Sequence, residues 1–219
     1  MIIFDFNGTI VFDSPYHFKA WYEFSKIIRG NPMDEKELEA SCHGRVNKEI
    51  IKYLDPSLSD EKCEELSKEK EALYREIAAN DKDYKLADGL EKYFNYLKEN
   101  KISINIASAS IKENIDFFID YFKLANWFDP KKIKYDDGTY KDKKKMFIDA
   151  AKVIGADIRD CIIFEDSTSG VKCANDIKAK KVIVICEKER EKDFKDLKVD
   201  FFIRDFNDER VYSILQESN

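Results

Sequence analysis

No stretch of this 219-residue sequence approaches the ~20 consecutive apolar residues that a membrane-spanning helix needs. The N-terminus lacks a basic segment leading into a signal-type apolar stretch. A basic stripe is missing too. Lysines and acids are abundant but interspersed, with a net charge of −6, which argues against a nucleic-acid partner. The five cysteines (Cys42, Cys63, Cys161, Cys173 and Cys186) are odd in number, scattered, and form no C-x-x-C pair. They read as buried free thiols of a reducing compartment. There is no repeat and no low-complexity linker. These absences set the expectation of a cytoplasmic protein, a monomer, engaging neither membrane nor nucleic acid.

What is present is ample for a full core, since 43% of the residues are apolar. Ile2–Phe4 and residues 102–107, 161–164 and 182–186 are apolar runs without alternation, the mark of strands buried on both faces. Phe201–Ile203 is a candidate edge strand. Helical patterns lie around 90–99, 111–122, 143–154 and 169–178. Strand–helix alternation of this kind predicts an α/β fold, a Rossmann-like doubly wound parallel sheet.

Residues 14–82 break that rhythm and contain no strand pattern. Ser14-Pro15 has the chemistry of a helix start, after which Phe18, Trp21, Phe24 and Ile28 recur at helical spacing. Asp34 with Glu37 marks a second start and Asn47 is a candidate cap for 48–54. Ser59, with Asp60 and Glu61 behind it, opens a helix carrying Leu66, Leu73 and Ile77. The predicted organisation is a core of 1–13 and 83–219 with a small all-helical insert over 14–82.

In an open parallel sheet, ligands sit beyond the carboxyl ends of the strands. Three predicted strands end there in polar residues: Asp5 after the first, Ser108-Ala109-Ser110 after the second, Glu165-Asp166 after the third. Three converging carboxylates repel one another unless a cation joins them. All-oxygen ligation of that type suits Mg²⁺, with a substrate phosphate as a further ligand. A carboxylate beside a metal-bound phosphate is also a competent nucleophile. Singly, each element has a structural reading as turn, cap or acidic helix start.

F-D-F-N-G-T, then A-S-A-S, then a lysine, then F-E-D-S-x-x-G resemble the four ordered motifs of the haloacid dehalogenase superfamily of phosphohydrolases. The segment Asp13-Ser14-Pro15-Tyr16-His17-Phe18-Lys19-Ala20-Trp21 resembles the D-S-x-x-H-x-x-A-W entry to the cap in its β-phosphoglucomutase-like subgroup. The resemblance implies a Mg²⁺-dependent phosphatase of a small phosphorylated metabolite, with Asp5 as nucleophile. It implies metal ligation by Asp5, the backbone carbonyl of Asn7 and Asp166, with Glu165 alongside. Ser108 and Ala109 would bind phosphoryl oxygens, and Thr9 and Ser110 would face the substrate. The third-motif lysine is Lys141 by spacing, in a segment, KDKKKMF, lacking the family's two prolines; Lys143 and Lys144 compete for the role.

In the insert, Cys42-His43-Gly44-Arg45-Val46-Asn47-Lys48 matches the substrate loop of relatives. The mutase subgroup's phosphate-gripping arginine falls at Asn47, and Arg45 follows the glycine instead. Arg45 and Lys48 read equally as substrate contacts or surface charges. His17 is a candidate substrate contact and a candidate substitute base, and His43 a less certain one.

Asn7 stands where ester-cleaving relatives carry a second aspartate, which protonates the departing alcohol and later activates water. An amide does neither. Losing such help reduces the rate roughly 10²–10⁴-fold, which weakens a phosphatase without erasing it. A mutase and a catalytically silent binder of a phosphorylated ligand are the alternative readings.

Overall fold

A computed structural model of the chain describes residues 1–42 and 45–215. His43 and Gly44 lie outside the described residues. The chain divides into two compact units, Met1–Phe12 with Lys85–Asn219, and Asp13–Tyr84.

The first unit is a six-stranded sheet of β1 (Ile2–Phe4), β2 (Ile104–Ile111), β3 (Lys134–Asp136), β4 (Ile162–Glu165), β5 (Lys181–Ile185) and β6 (Phe201–Ile203). Their order is β3-β2-β1-β4-β5-β6, and every pairing is parallel. The all-apolar sequence of β1 follows from its central place, because both faces are covered. Ile3 and Ile163 face one layer, with Phe147, Ala150 and Val171 in the core. Phe4 and Phe164 face the other, where Phe4 stacks on Phe164 at 5.0 Å and meets Phe94 edge-on at 5.3 Å. Phe201–Ile203 does form the edge strand. The third strand in chain order, β3, was not visible in the pattern: its three residues are half-buried and charged at both ends.

The second unit is helical: α1 (Ser14–Arg29), α2 (Glu35–Cys42), α3 (Asn47–Leu54) and α4 (Asp60–Ala79). Trp21, Phe24, Met33, Leu38, Ile50, Ile51, Leu54, Cys63 and Leu66 form its own core. Ser59 caps α4 by accepting from the Lys62 N–H at 3.2 Å. Asn47 does not cap α3. It is that helix's first residue, and its side chain reaches across to α4 instead. No described helix is long and apolar enough to cross a membrane.

Candidate active site

The register of the sheet assembles the site. Phe4 pairs with Phe164, and the Asp5 N–H donates to the Phe164 carbonyl at 2.9 Å, which sets Asp5 beside Glu165 at adjacent strand ends. The chain then turns sharply. Gly8 takes φ +75° and donates to the Val11 carbonyl at 2.7 Å. A Cβ on Gly8 would lie 2.3 Å from Asp166 Oδ2, so only glycine lets this loop and the β4 acids approach.

Asp5 is 3% exposed and Glu165 fully buried. One oxygen from each of Asp5, Glu165 and Asp166 lies within 4.8 Å of the others. Glu165 Oε2 is held by the N–H groups of Asp166 and Ser167, both at 2.7 Å, and by Ser167 Oγ at 2.9 Å. Burial, with Lys143 opposing and Glu165 reinforcing, pushes the Asp5 carboxyl up to about 7. Burial and the neighbouring Glu165 likewise raise Asp166 well above the ordinary carboxylate range. A cluster so short of positive charge, with only oxygen donors, has the chemistry of a Mg²⁺ site.

The lysine of the site is Lys143, not Lys141. Its Nζ donates to Asp5 Oδ1 at 2.7 Å and also bonds Glu165 Oε1. Burial works against its charge, but Asp5 and Glu165 together hold it above the usual lysine value. The reason is local. Asp142 caps a helix of the first unit, α5 (Lys143–Lys152), by accepting from the Lys144 N–H at 2.9 Å, so Lys143 takes the first helical position. Lys141 precedes that turn and is exposed. Lys144 pairs with Asp176 at 3.0 Å.

On the other side of β1, Ser108 is buried within β2, and Ser110 follows two residues on. Ser110 Oγ donates to Asn7 Oδ1 at 2.6 Å, and Ser108 Oγ reaches the same oxygen at 3.4 Å. Ala109 is exposed at this edge. Thr9 is fully buried, and its Oγ1 has no hydrogen-bond partner among the described residues. One residue was missed altogether: Arg190, whose Nη2 donates to the Asp166 carbonyl at 3.4 Å. No spacing or motif in the sequence pointed to it.

Within the helical unit, His17 belongs to a buried polar network. Lys70 is 1% exposed, and its Nζ contacts Glu71 Oε1 at 2.9 Å and His17 Nδ1 at 2.7 Å. The other ring nitrogen, Nε2, lies 3.5 Å from Asp13 Oδ2. Tyr74 stacks on the ring at 3.9 Å and donates to Asp13 at 2.7 Å. Both ring nitrogens thus face polar partners within the helical unit. Asn47 donates to Glu71 at 2.7 Å and to Ser67 at 3.0 Å. Arg45 is exposed, and Lys48 pairs with Asp60 at 2.8 Å.

A doubly wound parallel sheet with acids gathered at the carboxyl ends of β1 and β4, and a lysine bridging Asp5 and Glu165, has the architecture of a Rossmann-like hydrolase. The haloacid dehalogenase-like hydrolase family matches residues 1–177, and the chain belongs to that family. A HAD hydrolase of family IA, variant 3, from Entamoeba histolytica HM-1:IMSS is 35% identical with a TM-score of 0.90, over 99% of this chain and 98% of that one. The fold is also similar to β-phosphoglucomutase from Clostridium difficile, at 24% identity and a TM-score of 0.75, over 100% and 98% of the two chains. A chloroplastic 5-amino-6-(5-phospho-D-ribitylamino)uracil phosphatase of Arabidopsis thaliana is 24% identical over 184 residues. That similarity covers 83% of this chain and 48% of the relative, so the chain spans about half of that protein's length.

Proposed function

We propose that this protein is a Mg²⁺-dependent phosphohydrolase that moves the phosphoryl group of a small phosphorylated metabolite onto Asp5 and then onto water. The observation that carries the reading is Lys143 bridging Asp5 and Glu165 beside Asp166. Asp5, Asp166 and the Asn7 backbone carbonyl would hold the cation with support from Glu165. When bound, Mg²⁺ supplies positive charge that offsets the crowded carboxylates and the phosphoryl oxygens.

The remaining work falls to the chain itself. Asp5 Oδ attacks phosphorus as the leaving group departs, giving an aspartyl-phosphate. Lys143 balances the charge gathering on the phosphoryl oxygens, and the Ser108 hydroxyl donates to them. Water then attacks phosphorus and returns Asp5 to its carboxylate. In this proposal the helical unit carries substrate specificity. The contact of Asn47 with Glu71, where a phosphate-gripping arginine would serve a mutase, favours hydrolysis over mutase chemistry. The same reading has the protein acting as a cytoplasmic monomer, and its evenly mixed charge of net −6 agrees with a small-molecule partner rather than a polyanion.

The test is p-nitrophenyl phosphate turnover with and without Mg²⁺, parent against Asp5→Ala, with intact mass read after acid quench. The reading expects Mg²⁺-dependent turnover, a phosphoryl adduct on the parent, and neither in Asp5→Ala. Turnover that survives Asp5→Ala sinks it.

A further inference from the structure

We infer that the preferred phosphoryl donors of this site are those whose leaving group departs without a proton, acyl phosphates above all. This rests on the phospho-Asp5 reading and narrows it to a substrate class. It starts from Asn7, whose Oδ1 accepts from Ser110 Oγ at 2.6 Å and from Ser108 Oγ at 3.4 Å. The amide oxygen is thus an acceptor of two hydroxyl protons, and the amide nitrogen carries N–H groups that do not ionise. Asn7 hydrogen-bonds but transfers no proton.

The described hydroxyls, lysine and acids of this site do not replace it. The Ser108 and Ser110 hydroxyls are far too weakly acidic for the task. Lys143 is clamped as an ammonium between Asp5 and Glu165. Asp5 is the attacking group, Glu165 is enclosed by Lys143, Ser167 and backbone N–H groups, and Asp166 belongs to the cation-binding acids.

A phosphate ester cleaved here would expel an alkoxide about as basic as hydroxide, water's pKa being about 15.7. An acyl phosphate expels a carboxylate, whose conjugate acid has a pKa of about 4. In the step proposed, an Asp5 oxygen forms a bond to phosphorus while the bond from phosphorus to the acyl oxygen breaks. The carboxylate leaves with the electron pair and takes no proton. One acyl phosphate replaces another, so the transfer is close to balanced. Water then attacks the phosphoryl group of Asp5, giving inorganic phosphate and losing its proton to solvent. That second step also lacks a base at residue 7, so it limits steady turnover. Leaving-group selectivity is therefore read in kcat/KM and in the burst, not in kcat.

The experiment compares acetyl phosphate with glucose 6-phosphate, both with Mg²⁺, on the parent, Asn7→Asp and Asp5→Ala. Intact mass first verifies that the amide at residue 7 is retained. In the parent, acetyl phosphate should give a burst of one phosphoryl group per chain, and its kcat/KM should exceed that of glucose 6-phosphate by at least about 10³. In Asn7→Asp that ratio should fall by about 10²–10⁴, the usual worth of a general acid, because the ester gains and the acyl phosphate has little to gain. An adduct on the parent with equal kcat/KM for the two donors, or a ratio unmoved by Asn7→Asp, overturns the inference while leaving the phosphohydrolase standing. No adduct from either donor, with turnover untouched by Asp5→Ala, overturns the phospho-Asp5 reading beneath it.

Discussion

Lys143 Nζ lies 2.7 Å from Asp5 Oδ1 although 138 positions separate the two residues in the chain, and the same ammonium bonds Glu165. One cation thus serves two buried acids that would otherwise repel each other. Lys143→Met should lower turnover by about 10²–10³, the loss typical of removing one donor to developing oxyanion charge. Lys141→Met, on an exposed side chain, should stay within about threefold of the parent. Steady-state kinetics with Mg²⁺ decide this, and a larger loss from Lys141→Met would return the role to that residue.

The crowding of acids predicts a pH dependence for the metal-free protein. Asp5 sits at about 7 in the fold and returns toward 3.8 on unfolding. Between those values the native state keeps a proton that the unfolded chain releases, so stability falls as pH rises from about 4 to about 7. Melting temperatures in chelator should therefore be lower at pH 8 than at pH 5. Adding Mg²⁺ should raise them more at pH 8, where its ligands are deprotonated. Asp5→Asn should flatten the slope, and a flat profile in the parent would refute the argument.

Gly170 is required for a different reason from Gly8. A Cβ there would meet Glu165 Oε1 at 1.8 Å, and Glu165 cannot yield, being held by Ser167, Lys143 and two backbone N–H groups. Gly170→Ala should destabilise the fold by about 1–3 kcal/mol, as overpacking does, and weaken Mg²⁺ binding. Calorimetric titration beside a thermal melt checks both. Unaltered Mg²⁺ affinity would show that Glu165 adjusts freely.

In the helical unit, Lys70 and Glu71 are a buried pair with 1% and 8% of their side chains exposed. Lys70→Met strands the Glu71 carboxylate and should cost about 3–5 kcal/mol, while the double variant Lys70→Met with Glu71→Leu should recover most of that. Melts of the four proteins form the cycle. Equal losses in the single and double variants would mean that the pair contributes by packing alone.

Much of this was legible in the chain. Ile2–Phe4 reads as a strand because a central parallel strand must be apolar on both faces, and Asp5 after it reads as chemistry once Ser108 and Glu165-Asp166 stand at the ends of the neighbouring strands. Strand β3 was not legible, since a short half-buried edge segment such as Lys134–Asp136 leaves no apolar signature. Lys70 and Glu71 were hidden for a related reason. In a run as charged as residues 60–71, composition cannot mark the one lysine and one acid that turn inward.

The lysine of the site shows where the division falls. That some lysine before Phe147 should meet Asp5 follows from motif order, which the sequence carries in full. Which of Lys141, Lys143 and Lys144 does so depends on the phase of a helix, and Asp142 sets that phase by capping it. The same holds for Asn7. Its identity alone removes a proton donor, because an amide has none to give. That its oxygen is taken up by Ser110 and Ser108 was decided only when β2 paired beside β1, since hydrogen bonds of 2.6 and 3.4 Å depend on the register between strands a hundred residues apart.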